Sequence, residues 1–179
     1  MTGNRLAAAV VLACMASAGN ILAQGVASPA SHRTLDLMPV PSSLTVRDGS
    51  LTVDSTFRVA VLHNTDPRLL RAVARMIPRL EYRTGLTLSH DIMHDSSGAT
   101  FVIDCQGPGE TVQGVDEDES YSIESSTSSI MLRAATTIGV IRGLETVLQL
   151  VDADSRHYFI PAVSISDIPR FRWRGSLLT

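Results

Sequence analysis

Read from its amino end, the chain sorts its apolar residues first into short alternating runs. SLTVRDGSLTV sets Asp48 and Gly49 between two such runs. That dipeptide tolerates positive φ in a tight turn, so a β-hairpin is predicted. FRVAVL, from Phe57 to Leu62, predicts a further strand. The period then changes: in DPRLLRAVARMIPRLEYRTG, Leu69, Leu70, Val73, Met76, Ile77 and Leu80 recur at helical spacing and make one apolar face. Asp66 is placed to cap this helix, Pro67 suits its first turn, and Gly85 can take the left-handed conformation that ends it. Pro78, inside the pattern, removes one backbone donor and predicts a kink.

TFVIDC reads as a buried strand and GPGETVQGVDED as a loop. ESYSIES and SIMLRAA are two strands separated by a polar SST turn. TTIGVIRGLETVLQLVD is a second helix, capped by Thr136 or Thr137, with an apolar face of Ile138, Ile141, Leu144, Leu148 and Val151. Gly139 and Gly143 inside it each cost about 1 kcal/mol relative to alanine, so they need a packing reason. Spaced four apart, they share a face and admit close approach of the sheet or of a neighbouring domain. HYFIPAVSISD supplies a last strand before Pro169. The pattern predicts an α+β fold, a mostly antiparallel sheet with two helices on one face.

Composition sharpens this picture in three places. The 179 residues are 44% hydrophobic and 18% charged, enough for one domain with a real core. The formal net charge is −3 and the fifteen basic residues look scattered, so neither a nucleic-acid partner nor an anionic membrane surface is expected. MTGNR followed by LAAAVVLACMASA has the layout of a signal peptide over residues 1–23, with small residues at Ala16, Ser17 and Ala18 or at Ala23 for cleavage. Its apolar stretch is short of the roughly 20 residues that span a bilayer, so no membrane span is expected. Secretion or export to a periplasm is therefore the expectation, with a lipoprotein anchored at Cys14 as the lesser alternative. Residues 24–36 read as a flexible leader and 37–168 as the folded domain. Without the leader peptide, Cys105 is the lone cysteine, which excludes an internal disulfide.

Candidate chemistry is sparse. His90 and His94 stand four apart in HDIMHD, but Asp91 replaces the glutamate of the zinc motif HExxH and the flanking TLTLS reads as extended, so no metal site is assigned. GPGETVQG lacks the glycine at Val112 that a dinucleotide loop needs, and no basic residue takes the place of the phosphate-loop lysine. Asp116, Glu117, Asp118 and Glu119 form a carboxylate run without the glycine-punctuated spacing of a calcium loop, and read as a solvated turn. Cys105, at the end of a strand-like run, reads as a small buried residue rather than a nucleophile. No catalytic residue is assigned to this chain.

The ending IPAVSISDIPRFRWRGSLL resembles the segment by which family-20 glycoside hydrolases, the β-N-acetylhexosaminidases, pass from an N-terminal domain into a (β/α)8 barrel. Ile160, Pro161, Asp167, Pro169, Phe171, Trp173, Arg174, Gly175 and Leu178 carry that likeness. DESYSIES is similar to the family's Asp-Glu-x-Tyr strand, TTIGVIRGLETVLQLV to its glycine-spaced helix, and LMPVPSSLTVRDG to its opening. The resemblance implies a non-catalytic N-terminal domain, then residues 169–179 as a linker and the start of the first barrel strand, with the rest of the barrel absent from the chain. It implies hydrolysis of terminal N-acetylhexosamine residues without a cofactor. The substrate's own acetamido oxygen would attack the anomeric carbon, and an aspartate–glutamate pair on the barrel would assist. Arg174 is implied to bind hydroxyls of the terminal sugar, and the domain to pack intramolecularly on the barrel. Where the family continues with aspartate, this chain has Thr179. An accessory domain of an O-GlcNAcase-like or α-glucuronidase-like hydrolase, or a stand-alone secreted binding module, are the alternatives.

Overall fold

The computed structural model describes residues 35–169. They form eight strands and two helices in the order β1 (Ser43–Val53), β2 (Val59–Leu62), α1 (Pro67–Thr84), β3 (Ile92–Met93), β4 (Phe101–Cys105), β5 (Tyr121–Ser125), β6 (Ile130–Ala134), α2 (Thr137–Leu150), β7 (Asp152–Ala153) and β8 (Tyr158–Asp167). One sheet runs in the order β1-β8-β5-β6-β4-β2-β3, with β7 paired to β8.

The α+β class is as expected, but the sheet is mixed rather than mostly antiparallel. β1, β8, β5 and β6 pair antiparallel, whereas β4 runs parallel to β6 and β2, and β2 parallel to β3. The reason is the helix between β2 and β4. α1 returns the chain to the end of the sheet from which β2 started, and a strand re-entering there must run the same way. β4 bears the mark of such a strand, since Phe101, Val102 and Ile103 are all buried where β5 alternates buried and half-buried.

The second difference lies at Asp48-Gly49. No hairpin forms there; β1 is a single strand that pairs with β8 on both sides of the dipeptide. Ser43–Val46 match Val163–Ser166, Ser50–Val53 match Tyr158–Pro161, and the register shifts between Val46 and Ser50. Gly49, at φ 95°, lets the extra residues bulge out of the ladder. Both halves of the strand find a better partner in β8 than in each other.

α1 begins and ends as its sequence dictates. The Asp66 carboxylate accepts from the Arg68 amide, Pro67 occupies the first turn, and Gly85 at φ 67° donates its N–H to the Glu81 carbonyl. The helix continues on both sides of Pro78; there both Pro78 and Ala74 are exposed, so water can reach the carbonyl that the proline leaves without a donor. Leu69, Val73, Met76, Ile77 and Leu80 are buried, as their spacing requires. Thr136, rather than Thr137, caps α2 through its hydroxyl, which accepts from the Gly139 amide.

α2 lies on β5 and β6, and α1 packs beside it. The two glycines of α2 face the sheet. A Cβ on Gly139 would run into the Ser120 carbonyl and the Ala134 side chain, and one on Gly143 into Leu132 and Tyr121. Under the helices one core joins both ends of the sheet, from Leu51 and Val53 through Ile123, Leu132 and Ile165 to Phe101 and Val59.

Candidate functional site

One cluster of polar side chains stands at the end of the sheet where β2, β4 and β6 finish and both helices begin. His63, just past β2, sits at φ 66°, and the N–H of Asn64 donates to the Leu62 carbonyl across it at 2.8 Å. This tight left-handed turn is rare for a residue other than glycine. It brings His63 Nδ1 to 2.8 Å from Asp104 Oδ1 at the end of β4. Gln106 Nε2 donates to the same oxygen at 2.7 Å, and Arg133 Nε of β6 stands 3.7 Å from Oδ2. Asp104 is thereby committed to three neighbours from three strand ends.

Behind this cluster, Asn64 Nδ2 donates to Cys105 Sγ at 3.2 Å and to Thr137 Oγ1 at 3.3 Å, while Cys105 Sγ donates to the Gly107 carbonyl at 3.2 Å. Cys105 is fully buried. A thiol closed off in this way is a packing element, as expected, and has no access to a substrate.

The loop from Gly107 to Glu119 is held by the same economy. Arg68 Nη1 and Nη2 donate to the carbonyls of Glu110 and Pro108 at 2.7 and 2.9 Å, and Arg68 also grips Asp66. Within the acidic run, Glu117 accepts from the Glu110 amide at 3.0 Å and Asp118 from the Ser120 amide at 2.8 Å. Glu119 forms a two-pronged pair with Arg142 of α2 at 3.1 and 2.9 Å. The second oxygen of Glu117 is buried with no hydrogen-bond partner, in the field of the Arg68 guanidinium. These carboxylates order a loop against two helices and are not paired across a space that a substrate could enter.

The histidine pair is likewise divided. His90 Nε2 lies 3.1 Å from Glu81 Oε2 at the end of α1, and β3 separates it from His94. Among the described residues no group of three or more histidine, cysteine or acidic side chains is placed to hold a metal ion. No helix there is long and apolar enough to cross a membrane. A shallow cleft of about 330 Å³ opens at the end of the antiparallel strands, between Gln106, Ser120, Ser122, Arg133, Ser166 and Asp167. Asp167 is buried and accepts from the backbone N–H and hydroxyl of Ser42 at 3.1 and 3.3 Å, joining the start of β1 to the end of β8. Arg174, the one residue to which the family resemblance assigns a sugar contact, lies outside the described residues.

Among the described residues, the carboxyls of Asp66, Asp54 and Glu81 are held below their ordinary range. The Arg68 guanidinium does this for Asp66, with the Arg68 backbone N–H adding to it. The hydroxyl and N–H of Thr56 do it for Asp54, and the Leu88 N–H followed by His90 for Glu81. A carboxyl depressed in the folded state stabilises the fold above its unfolded pKa, and that contribution is lost as pH falls through the lower folded value. The melting temperature is therefore expected to fall as pH drops through and below the ordinary aspartate value of 3.8. Asp66→Asn keeps an acceptable cap but cannot titrate, so a series of melts from neutral pH downwards should show a shallower acid decline in that variant.

Comparison with known proteins bears on this arrangement. The family model described as "Glycosyl hydrolase family 20, domain 2" matches residues 34–168. Beta-hexosaminidase subunit A1 of Dictyostelium discoideum is 44% identical over 63 residues, which is 34% of this chain and 12% of that protein. The beta-hexosaminidase of Porphyromonas gingivalis is 25% identical over 169 residues, 87% of this chain and 20% of that protein. Among solved structures, the chitobiase of Flavobacterium johnsoniae superposes with a TM-score of 0.74 at 37% identity, over 80% of this chain and 22% of that one. The chain thus spans about a fifth or less of the length of these two relatives.

Proposed function

Since the chain belongs to glycosyl hydrolase family 20 through that family's domain 2, we propose that it is the non-catalytic N-terminal domain of a β-N-acetylhexosaminidase. The observation that carries this reading is the match over residues 34–168, which takes in every described strand and helix. The chemistry of the domain agrees with a supporting role. Its carboxylates cap helices, bind loop amides or pair with arginines, and Cys105 is sealed in the core.

In this reading the whole protein is exported and removes terminal N-acetylhexosamine residues from glycoconjugates or chitin-type oligomers. The reacting carboxylates stand on a barrel beyond the described residues, where the glutamate donates a proton to the leaving oxygen and the aspartate orients the substrate's acetamido group. The acetamido oxygen itself attacks the anomeric carbon, so configuration is retained without a covalent enzyme intermediate and without a cofactor. Arg174 meets the hydroxyls of the terminal sugar, its planar guanidinium offering paired donors. The domain packs on the barrel.

The test is to assay the chain ending at Thr179 beside the product of the extended reading frame, using a chromogenic N-acetylglucosaminide. Turnover by the longer protein and none by the shorter is the expected result. Activity in the shorter chain that survives repurification, or an inactive but folded longer protein, would overturn the reading.

A further inference from the structure

The face of the sheet away from the helices carries polar residues in a row. Leu132, Ile123 and Ile165 point into the core, so their chain neighbours Arg133, Ser122 and Ser166 stand on the other side. These three are partners in the ladder: Ser122 lies opposite Arg133 of β6 and opposite Ser166 of β8. Neighbouring strands lie about 4.8 Å apart, so the row is about 10 Å long. It borders the cleft of about 330 Å³ at the end of the antiparallel strands, which Ser120 and Gln106 complete. That volume falls within the range of ligand clefts, roughly 300–1,000 Å³.

The fold does not use up the polar groups of this row. Among the described residues, the hydroxyls of Ser120, Ser122 and Ser166 make no hydrogen bond. Arg133 is half exposed and reaches Asp104 only at 3.7 Å, while Gln106 donates its amide N–H to Asp104 and keeps its amide oxygen free of any described partner. Further along the same face the side chains answer one another, since Arg47 pairs with Glu124, which also accepts from Ser164. The open groups decide what a ligand must offer. Hydroxyls donate and accept, the Gln106 oxygen accepts and the guanidinium donates, so the row suits a molecule that does both at each point. An anion only accepts, and it would meet the Asp167 carboxylate in the wall and Asp104 behind Arg133. A metal ion finds no set of ligands among the described residues. An uncharged polyhydroxylated molecule fits.

We infer that this row is a binding site for a short uncharged saccharide, held by Arg133, Ser122 and Ser166 across three strands, with Ser120 and Gln106 at the end of the cleft. The left-handed turn at His63 serves the same site. It keeps His63 Nδ1 on Asp104, and Asp104 in turn holds Gln106 and stands beside Arg133, so an uncommon backbone conformation is maintained where it positions two members of the row. The choice of sugar rests on the reading of this chain as part of a hexosaminidase, which makes N-acetylhexosamine oligomers the candidates. The domain would then take part in holding the glycan as well as supporting the rest of the protein.

The test is photolabelling of the longer protein with a diazirine-bearing, thio-linked N,N′-diacetylchitobioside, a probe that resists glycosidic cleavage, followed by peptide mass mapping. Label should fall on residues 120–133 and at Ser166, and an excess of the same disaccharide without the diazirine should prevent it, whereas sulfate should not. The chain ending at Thr179 contains every residue of the row and should be labelled in the same peptides. Ser122→Ala with Ser166→Ala removes two hydroxyls that the fold does not use, and should lower the labelling about tenfold with the melting temperature unchanged. Thr45→Ala, exposed on the same face but away from the cleft, should be labelled like the wild type. No label at these peptides, label that the double variant leaves intact, or displacement by sulfate would overturn the inference. Turnover is read separately: label in an inactive longer protein would sink the hydrolase reading and leave the site standing, while an active protein without label would remove the site and leave that reading intact.

Discussion

Replacing Gly139 by alanine is expected to destabilise the domain by about 2–3 kcal/mol, although alanine is the better helix former by about 1 kcal/mol. The new methyl group would point at the Ser120 carbonyl and the Ala134 side chain, where there is no room for it. Ser120 leads into β5, so its backbone cannot move without taking Tyr121 and the β5–β8 ladder with it. Gly143 makes a sharp comparison, because the atoms in its way are the terminal methyls of Leu132 and the ring of Tyr121. Side-chain ends can rotate, and the helix-propensity gain then offsets part of the strain. Denaturant midpoints of the two variants should therefore separate, with Gly139→Ala well below wild type and Gly143→Ala between them. Equal losses would mean that α2 shifts as a rigid body over the sheet, and that the backbone contact at Ser120 is not what fixes its height.

The second large effect concerns the longer protein and rests on Arg174. If its guanidinium donates a pair of hydrogen bonds to sugar hydroxyls, Arg174→Lys keeps the charge and loses the fork. A hydrogen bond to a charged group contributes about 1.5–3 kcal/mol, so kcat/KM should fall roughly ten- to a hundredfold. An arginine that only bridges two domains would behave otherwise. The same change would then lower the melting temperature and leave kcat/KM of the folded enzyme nearly intact. Measuring both on one variant separates the two roles, and stability lost without a kinetic effect removes Arg174 from the substrate site.

What could be read from the sequence follows the range of the forces involved. α1 is specified locally: Asp66, Pro67 and Gly85 mark its ends, and the buried set from Leu69 to Leu80 is periodic over several turns. The same holds for the cap of α2 and for the adjacent strands β5 and β6. Asp48-Gly49 misled because a turn-favouring dipeptide describes what the backbone tolerates, and the partner that decided the matter, β8, lies over a hundred residues further on. The parallel half of the sheet was hidden for a related reason. Only the unbroken burial of Phe101, Val102 and Ile103 hinted at it. The cluster of His63, Asp104, Gln106 and Arg133 joins three separate strand ends, and no spacing along the chain could announce it. The arginines of α1, by contrast, recur at helical intervals that the sequence itself displays.

The clasp between Ser42 and Asp167 has a mechanical consequence. Because β1 and β8 are antiparallel and Ser43 lies opposite Ser166, the start of β1 and the end of β8 meet at one corner of the sheet, while the residues before Ser42 are held a second time at α2, where Met38 exchanges hydrogen bonds with Gln149 and Leu37 is buried. Tension from the amino side is met first by the Leu37 and Met38 contacts; once these yield, it reaches the corner and peels the two strands apart rung by rung, instead of loading the whole ladder at once in shear. Within the ladder the Ser42 and Asp167 contacts are the first to bear that force, and the bulge at Gly49, where the ladder is already interrupted, is the next place for the opening to pause.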